Sequence, residues 1–168
     1  MTSAVRAAGD PVAPVGVGDV APDFTLEDTH GTPVRLGALR GAPVLLVFVP
    51  FAFSGRCTQE LCELRDNLAD LASTGARLLV VSCDAMFSLR AWAEQEGYTF
   101  ALLSDFWPHG EGARAYGVFY EAHGLALRGS FLVDAEGVVR WCGRNPRGVV
   151  RDLDEYRAAL AHLPGPRT

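Results

Sequence analysis

Cysteine is the residue type best suited to covalent chemistry in this chain, and the 168 residues hold four: Cys57, Cys62, Cys83 and Cys142. The thiolate, not the thiol, is the nucleophile, so each cysteine is judged by what surrounds it. Cys57 follows a six-residue apolar run, Val44-Leu45-Leu46-Val47-Phe48-Val49, and a glycine-containing loop over 51–55. It stands at the mouth of a helical pattern in which Leu61, Leu64, Leu68 and Leu71 form one apolar stripe. A helix start supplies unpaired backbone N–H groups and about half a positive charge. In α/β sheets ligands also bind beyond the carboxyl ends of strands. Arg56 adds positive potential if it turns inward. Position alone leaves two readings open: a stabilised thiolate ready for nucleophilic redox chemistry, and a buried packing cysteine.

The remaining candidates narrow the chemistry. No two cysteines form C-x-x-C, the spacing that closes a small exchangeable disulfide at a helix start. His30, His109, His123 and His162 are far apart and share no ligand spacing with each other or with the cysteines, so no metal is expected. There is no P-loop and no dinucleotide-binding glycine pattern, hence no expected cofactor. Cys83 ends an apolar strand and reads as packing. His109 and His123 read as loop residues.

Composition describes the frame. A chain of this length buries roughly 70% of its extended surface and supports one full core. With 49% apolar and 21% charged residues, it is not a disordered chain. The longest apolar run, residues 43–53, already contains two prolines, so no membrane span is expected. Fifteen cations, all arginine, stand against twenty acids for a net charge of −5. The arginines are scattered, which gives nucleic-acid binding no electrostatic footprint. The first residues carry no basic n-region and no continuous apolar h-region, so no secretory signal is visible and the cytoplasm is expected. Residues 1–17 are expected to form a loose tail and residues 18–164 a single domain.

Along the chain, Asp23-Phe24-Thr25-Leu26 and Thr32-Pro33-Val34-Arg35 flank a Thr-His-Gly turn, which predicts a β-hairpin. A short helical turn over 36–39 follows. Residues 44–49 read as a central strand buried on both faces. A helix is predicted over about 56–72, a strand over 77–83, a helix over 88–95 with Ser88 as N-cap, and a strand over 100–104. A short helix over 110–115, a hairpin of strands 129–133 and 138–141, and a last helix over 152–162 complete the order. Alternating elements that end in an antiparallel hairpin indicate an α/β sandwich with a mixed sheet. That order is similar to a thioredoxin-like topology with an N-terminal β-hairpin extension.

Pro50-Phe51-Ala52-Phe53-Ser54-Gly55-Arg56-Cys57 places a proline seven residues and a hydroxyl three residues before the cysteine. This resembles the peroxiredoxin signature. Gly18-Asp19-Val20-Ala21-Pro22-Asp23-Phe24 looks like the opening of that family. Leu103-Ser104-Asp105-Phe106-Trp107-Pro108-His109-Gly110, followed by Ala115-Tyr116-Gly117-Val118, is similar to its alkyl hydroperoxide reductase E class. Arg128-Gly129-Ser130-Phe131-Leu132-Val133-Asp134 resembles the strand that bears the family's second essential residue, an arginine. The resemblance implies a thiol peroxidase acting on hydrogen peroxide and organic hydroperoxides. Cys57 would attack one oxygen and become a sulfenic acid. Arg128, the Cys57 N–H and Ser54 would polarise the O–O bond, and Pro50 would shield the sulfur. Glu60, one turn after Cys57, would orient Arg128 or stand as an ordinary solvated carboxylate. The resemblance further implies a homodimer, through the loop over 105–110, and a thioredoxin-like or other thiol reductant.

Cys62 lies five residues after Cys57 on the same predicted helix. That spacing resembles the Q-type, or bacterioferritin-comigratory, peroxiredoxins, in which it marks the resolving cysteine. Five helical residues put the two Cα atoms about 8.6 Å apart and about 140° around the axis. A disulfide needs less than about 7 Å, so the first turns must unwind before the bond closes. Cys142 is the reserve resolving candidate. An external thiol as resolver, a non-peroxidase redox sensor and a non-catalytic binding module on the same fold remain the competing readings.

Overall fold

The computed structural model describes residues 14–163. The predicted N-terminal hairpin forms as β1 (Thr25–Glu27) and β2 (Pro33–Arg35), closed by a turn in which Asp28 Oδ1 accepts from the backbone of His30 and Thr32. The apolar run is β3 (Val44–Phe48), buried at every position. The helical pattern after it divides into α1 (Gly55–Asp66) and α2 (Leu68–Ser73). Next come β4 (Arg77–Ser82), α3 (Met86–Glu96), β5 (Ala101–Ser104) and α4 (Glu111–Ala115). A miniature hairpin, β6 (Phe119–Tyr120) with β7 (Leu125–Ala126), precedes β8 (Arg128–Val133), β9 (Val139–Asn145) and α5 (Leu153–Ala161).

The seven-stranded sheet runs β2-β1-β5-β4-β3-β8-β9. β3, β4 and β5 are parallel, while β8 runs antiparallel to β3 and β9 antiparallel to β8. The mixed sandwich expected from the element order is therefore what the chain forms. Successive side chains of a strand point to opposite faces, and β3 shows the consequence. Leu45 and Val47 join one core with α1, α3 and α5, whereas Leu46 and Phe48 join a second core with Tyr116, Phe131 and Ala126. Trp92 and Leu61 anchor the first core, and Tyr116 and Phe131 the second, each with at most 0% exposure.

Several expected boundaries shift for local reasons. The single helix predicted over 56–72 breaks at Asn67, whose side-chain Nδ2 donates to the Glu63 carbonyl and whose backbone leaves the helical region (φ −113°). The leucine stripe survives the break. The predicted Ser88 cap is incorrect, because α3 starts two residues earlier with Ala85 at the N-cap position. Asp84, the polar residue just before it, is occupied elsewhere, accepting from Ser82 and from the Ala52 N–H. The β6–β7 hairpin escaped notice because strands of two residues carry no periodicity. Of the tail expected over 1–17, residues 1–13 lie outside the described region. Val15 is buried, its carbonyl accepts from Arg144, and Gly18 N–H donates to the Val139 carbonyl, so residues 14–17 are held against the sheet edge rather than loose. Among the described residues no helix is long and apolar enough to cross a membrane.

β8 must lie close under its neighbours for Arg128 to be placed, and Gly129 makes that possible. A Cβ there would stand 2.6 Å from Val118 Cγ1 and 3.3 Å from the Phe131 ring. Gly129→Ala is expected to lower the unfolding free energy by about 1–3 kcal/mol, the usual cost of overpacking. The urea midpoint measures it, and an unchanged midpoint would show that the strand yields freely.

Candidate active site

β3 ends at Phe48, and the chain crosses residues 50–54 before entering α1. Phe53 makes the crossing with φ +64°, the one non-glycine residue with positive φ among those described. Such a conformation costs on the order of 1 kcal/mol and persists where the surroundings fix it. Here the Ala52 N–H donates to Asp84 Oδ2 at 2.8 Å, and the Phe53 ring rests 6.2 Å from Trp92. Ser54 is the N-cap of α1, its Oγ accepting from the Cys57 N–H at 3.3 Å. The cap thus links two of the predicted site groups directly. With the Cys57 N–H engaged, the proton free to be offered outward is that of the Ser54 hydroxyl.

Cys57 is fully buried, and its Sγ accepts from Arg128 Nη2 at 3.4 Å. Arg128 is the first residue of β8, and Glu60 braces it, accepting from Nε at 3.2 and 3.3 Å. Cys57 and Glu60 are three residues apart on α1 and so share one face of it, which lets a single guanidinium touch both. The same carboxylate holds a second cation that sequence reasoning missed. Arg151 donates to Glu60 from its backbone N–H at 2.9 Å and from Nη1 at 3.1 Å. Its Nη2 reaches the carbonyls of Phe48 and, at 3.4 Å, Gly129. Glu60, Arg128 and Arg151 are all buried, so the solvated reading of Glu60 is ruled out. Two guanidiniums and one carboxylate leave a surplus of one positive charge beside the sulfur, and a thiolate cancels it.

Beside this cluster opens a cleft of about 290 Å³ lined by Pro50, Phe51, Ser54, Leu127, Arg128 and Arg147, among others. Cys57 is not part of that lining and has no exposed surface. Arg56 does not turn toward the sulfur; it is exposed, with its guanidinium against Gly148. Of the nearby aromatic groups, Phe51 lines the cleft, Phe53 leans toward Trp92, and Tyr120 stacks under Arg147 at 4.9 Å.

The other cysteines diverge. All four are free thiols. Cys62 lies on the same unbroken helix as Cys57 but points to the end of α3, its Sγ donating to Glu96 Oε2 at 3.6 Å and lying 3.7 Å from the Tyr98 hydroxyl. It packs against the same core as Cys57. Cys142 packs against the core on the other face of the sheet, opposite Phe131. Cys83 is buried, and burial, followed by the nearby Asp105 carboxylate, pushes its thiol up to about 12. His109 joins two loops, its ring nitrogens facing the carbonyls of Phe106 and Gly124.

The AhpC/TSA family model matches residues 17–142. Alkyl hydroperoxide reductase E of Mycobacterium tuberculosis is 47% identical over 150 residues, covering 89% of this chain and 98% of that protein. Peroxiredoxin Bcp of Escherichia coli K12 is 36% identical over 132 residues, covering 75% of this chain and 83% of its own. Among solved structures, peroxidoxin BcpB from Mycobacterium tuberculosis superposes with a TM-score of 0.81 at 30% identity, covering 90% of this chain and 99% of that one. Enterococcus faecalis AhpC superposes with a TM-score of 0.80, also at 30% identity, covering 86% and 90% respectively.

The buried charge cluster sets a stability expectation. Removing the shared acid strands two guanidiniums away from water, and breaking a buried pair this way costs about 3–5 kcal/mol. Glu60→Ala is expected to lose that much by urea denaturation; a loss below 1 kcal/mol, the range of exposed pairs, would mean the triad is solvated in solution.

Proposed function

The chain belongs to the AhpC/TSA family of thiol peroxidases, and we propose that it works through Cys57, with Arg128, Ser54 and Pro50 forming the peroxide site and Cys62 resolving the product. The observation that carries the reading is the Arg128 guanidinium 3.4 Å from Cys57 Sγ, braced from behind by Glu60. Substrate would be hydrogen peroxide or an organic hydroperoxide. The Cys57 thiolate attacks one peroxide oxygen and keeps it as S–OH, the O–O bond breaks, and the departing oxygen takes a proton from solvent and leaves as water or alcohol. Charge builds on that departing oxygen, and Arg128 with the Ser54 hydroxyl are the donors poised for it. Arginine keeps its proton in a protein, so it serves as a fixed donor and not as an acid.

The sulfenic acid at Cys57 then condenses with Cys62. Cys62 shares a face of the sheet with Cys57, whereas the sheet stands between Cys57 and Cys142. Burial holds Cys83 as a thiol. On the intact α1 the Cys57 and Cys62 α-carbons remain about 8.6 Å apart by helix geometry. Closing the disulfide therefore needs the first turn to open, and a thioredoxin-like or other dithiol reductant would restore both thiols. An external thiol would instead attack the Cys57 sulfenic acid with no bond to Cys62, and the mass of the oxidised protein separates the two. We place the enzyme in the cytoplasm, where four free cysteines persist. We also propose a homodimer through the loop over 105–110, where Phe106 is 51% and Trp107 83% exposed.

In stopped-flow mixing with hydrogen peroxide, Cys57→Ser is expected to abolish fast consumption, whereas Cys62→Ser should retain the first turnover. After one equivalent of peroxide the wild type should lose about two mass units, and Cys62→Ser should gain about sixteen, the first rung of thiol oxidation. Undiminished consumption by Cys57→Ser rejects the peroxidatic assignment; a gain of sixteen in the wild type assigns resolution to an external thiol. For the dimer, Trp107→Glu is expected to halve the mass seen by light scattering, and a wild-type monomer would refute it.

A further inference from the structure

Cys62 does not sit in a generic helix environment. Its Sγ donates to Glu96 Oε2 at 3.6 Å, and the other oxygen of that carboxylate accepts from Gln95 Nε2 at 3.1 Å. The Tyr98 hydroxyl lies 3.7 Å from the same sulfur and donates to the Thr58 carbonyl at 3.4 Å. Glu96 is the last residue of α3, so this carboxylate comes to Cys62 from a different element. Arg65, three residues beyond Cys62 on α1, donates from Nη1 to the Glu96 carbonyl at 2.5 Å and ties the two elements together.

The placement of these contacts matters for the disulfide. Opening the first turn of α1 releases Cys57, but Arg65 lies on the part of the helix that need not open. Cys62 and Glu96 therefore stay together while Cys57 travels toward them. The thiol at Cys62 must lose its proton to attack, because only the thiolate is nucleophilic. The hydroxyl on the Cys57 sulfenic acid must gain one to leave as water. Both needs meet at one acceptor within hydrogen-bonding reach of the attacking sulfur.

We infer that Glu96 is the proton shuttle of the resolving half-reaction. As Cys62 sulfur attacks Cys57 sulfur, the S–S bond forms, the Cys57 S–O bond breaks, and its electron pair leaves with the oxygen. The proton passes from Cys62 to the Glu96 carboxylate and on to the departing hydroxyl, giving water. Cys62 sulfur is oxidised, the sulfenic sulfur is reduced, and no further reagent is consumed. This inference rests on Cys62 being the resolving thiol. It makes Glu96 a catalytic residue of the second step while leaving the peroxide site to Arg128 and Ser54.

The test measures the two steps separately. Wild type, Glu96→Gln and Glu96→Asp are each mixed with one equivalent of hydrogen peroxide and quenched with a thiol-blocking alkylator at intervals. Intact mass then follows the sulfenic acid and the disulfide. Glu96→Gln keeps the shape and removes the proton acceptor; the ratio of disulfide formation to sulfenic acid formation should fall by about 10²-fold, the usual share of a general base. Glu96→Asp should recover part of that loss. A Gln variant that closes its disulfide at the wild-type rate, or an Asp variant as slow as Gln, overturns the shuttle while leaving Cys62 as resolver. Absence of any Cys57–Cys62 link in the wild type, by peptide mapping, removes the resolver and the shuttle together.

Discussion

The structure depends on one buried contact, a guanidinium against a sulfur, and on the charges that make such a contact tolerable. Arginine is expensive to bury unless its donors are satisfied, and the penalty per ion is several kcal/mol even after relaxation. Glu60 offsets that cost for Arg128 and Arg151 at once: Oε2 is shared by the two guanidiniums, and Oε1 accepts from Arg128 Nε and the Arg151 backbone N–H. Arg151 spends its remaining donors on the carbonyls of Phe48 and Gly129, leaving Nε as a buried donor without a partner. The triad thus carries one positive charge more than its acid can balance, and the sulfur of Cys57 is what faces that surplus. Stability and reactivity draw on the same electrostatic imbalance.

The sheet order explains why these groups meet at all. Central β3 has parallel β4 on one side and antiparallel β8 on the other. The antiparallel partner presents its beginning, Arg128, beside the end of β3, from which the loop into α1 departs. A parallel neighbour would have brought its carboxyl end there instead. Arg151 comes from the segment just before α5, which returns over the same face. The start of β8 and the segment before α5, both distant in sequence, therefore converge on the helix that follows β3, and the polarity of β8 decides which end of that strand contributes.

Much of this was legible in the residues. The apolar run of β3 and the leucine stripe of α1 announced themselves through apolar patterning, which reports burial directly, and the hairpin of β8 with β9 through the turn residues 134–137 between its strands. Pro50, Ser54 and Cys57 were legible because they are close in sequence and their spacing is fixed by one loop and one helix turn. Arg128 was found by its resemblance to a known strand, and Glu60 by its position one turn from Cys57. Arg151 and Glu96 were not visible. Their partners lie 91 residues away at Glu60 and 34 residues away at Cys62, and nothing local marks a side chain that pairs across the fold. Asn67 was missed for the opposite reason: its effect is local, but a stripe of leucines masks a break that costs only one turn of register.

The covered sulfur adds a constraint on how the molecule moves. Cys57 has no exposed surface, although the cleft beside it is roomy. The loop over 50–54 that leads into its helix is held by the strained turn at Phe53 and by Asp84. The first turn of α1 is in turn held by Thr58, whose hydroxyl accepts from Trp92 Nε1 at 3.2 Å and whose carbonyl accepts from Tyr98. In the proposed disulfide step, opening of that turn would take from the Thr58 carbonyl its helical donor, the backbone N–H of Cys62. Tyr98 already supplies a replacement, so the opened state leaves one fewer buried acceptor unsatisfied. The hydroxyl that engages the Thr58 carbonyl in the closed helix is thus placed to keep it partnered through the opening that the proposed disulfide step requires.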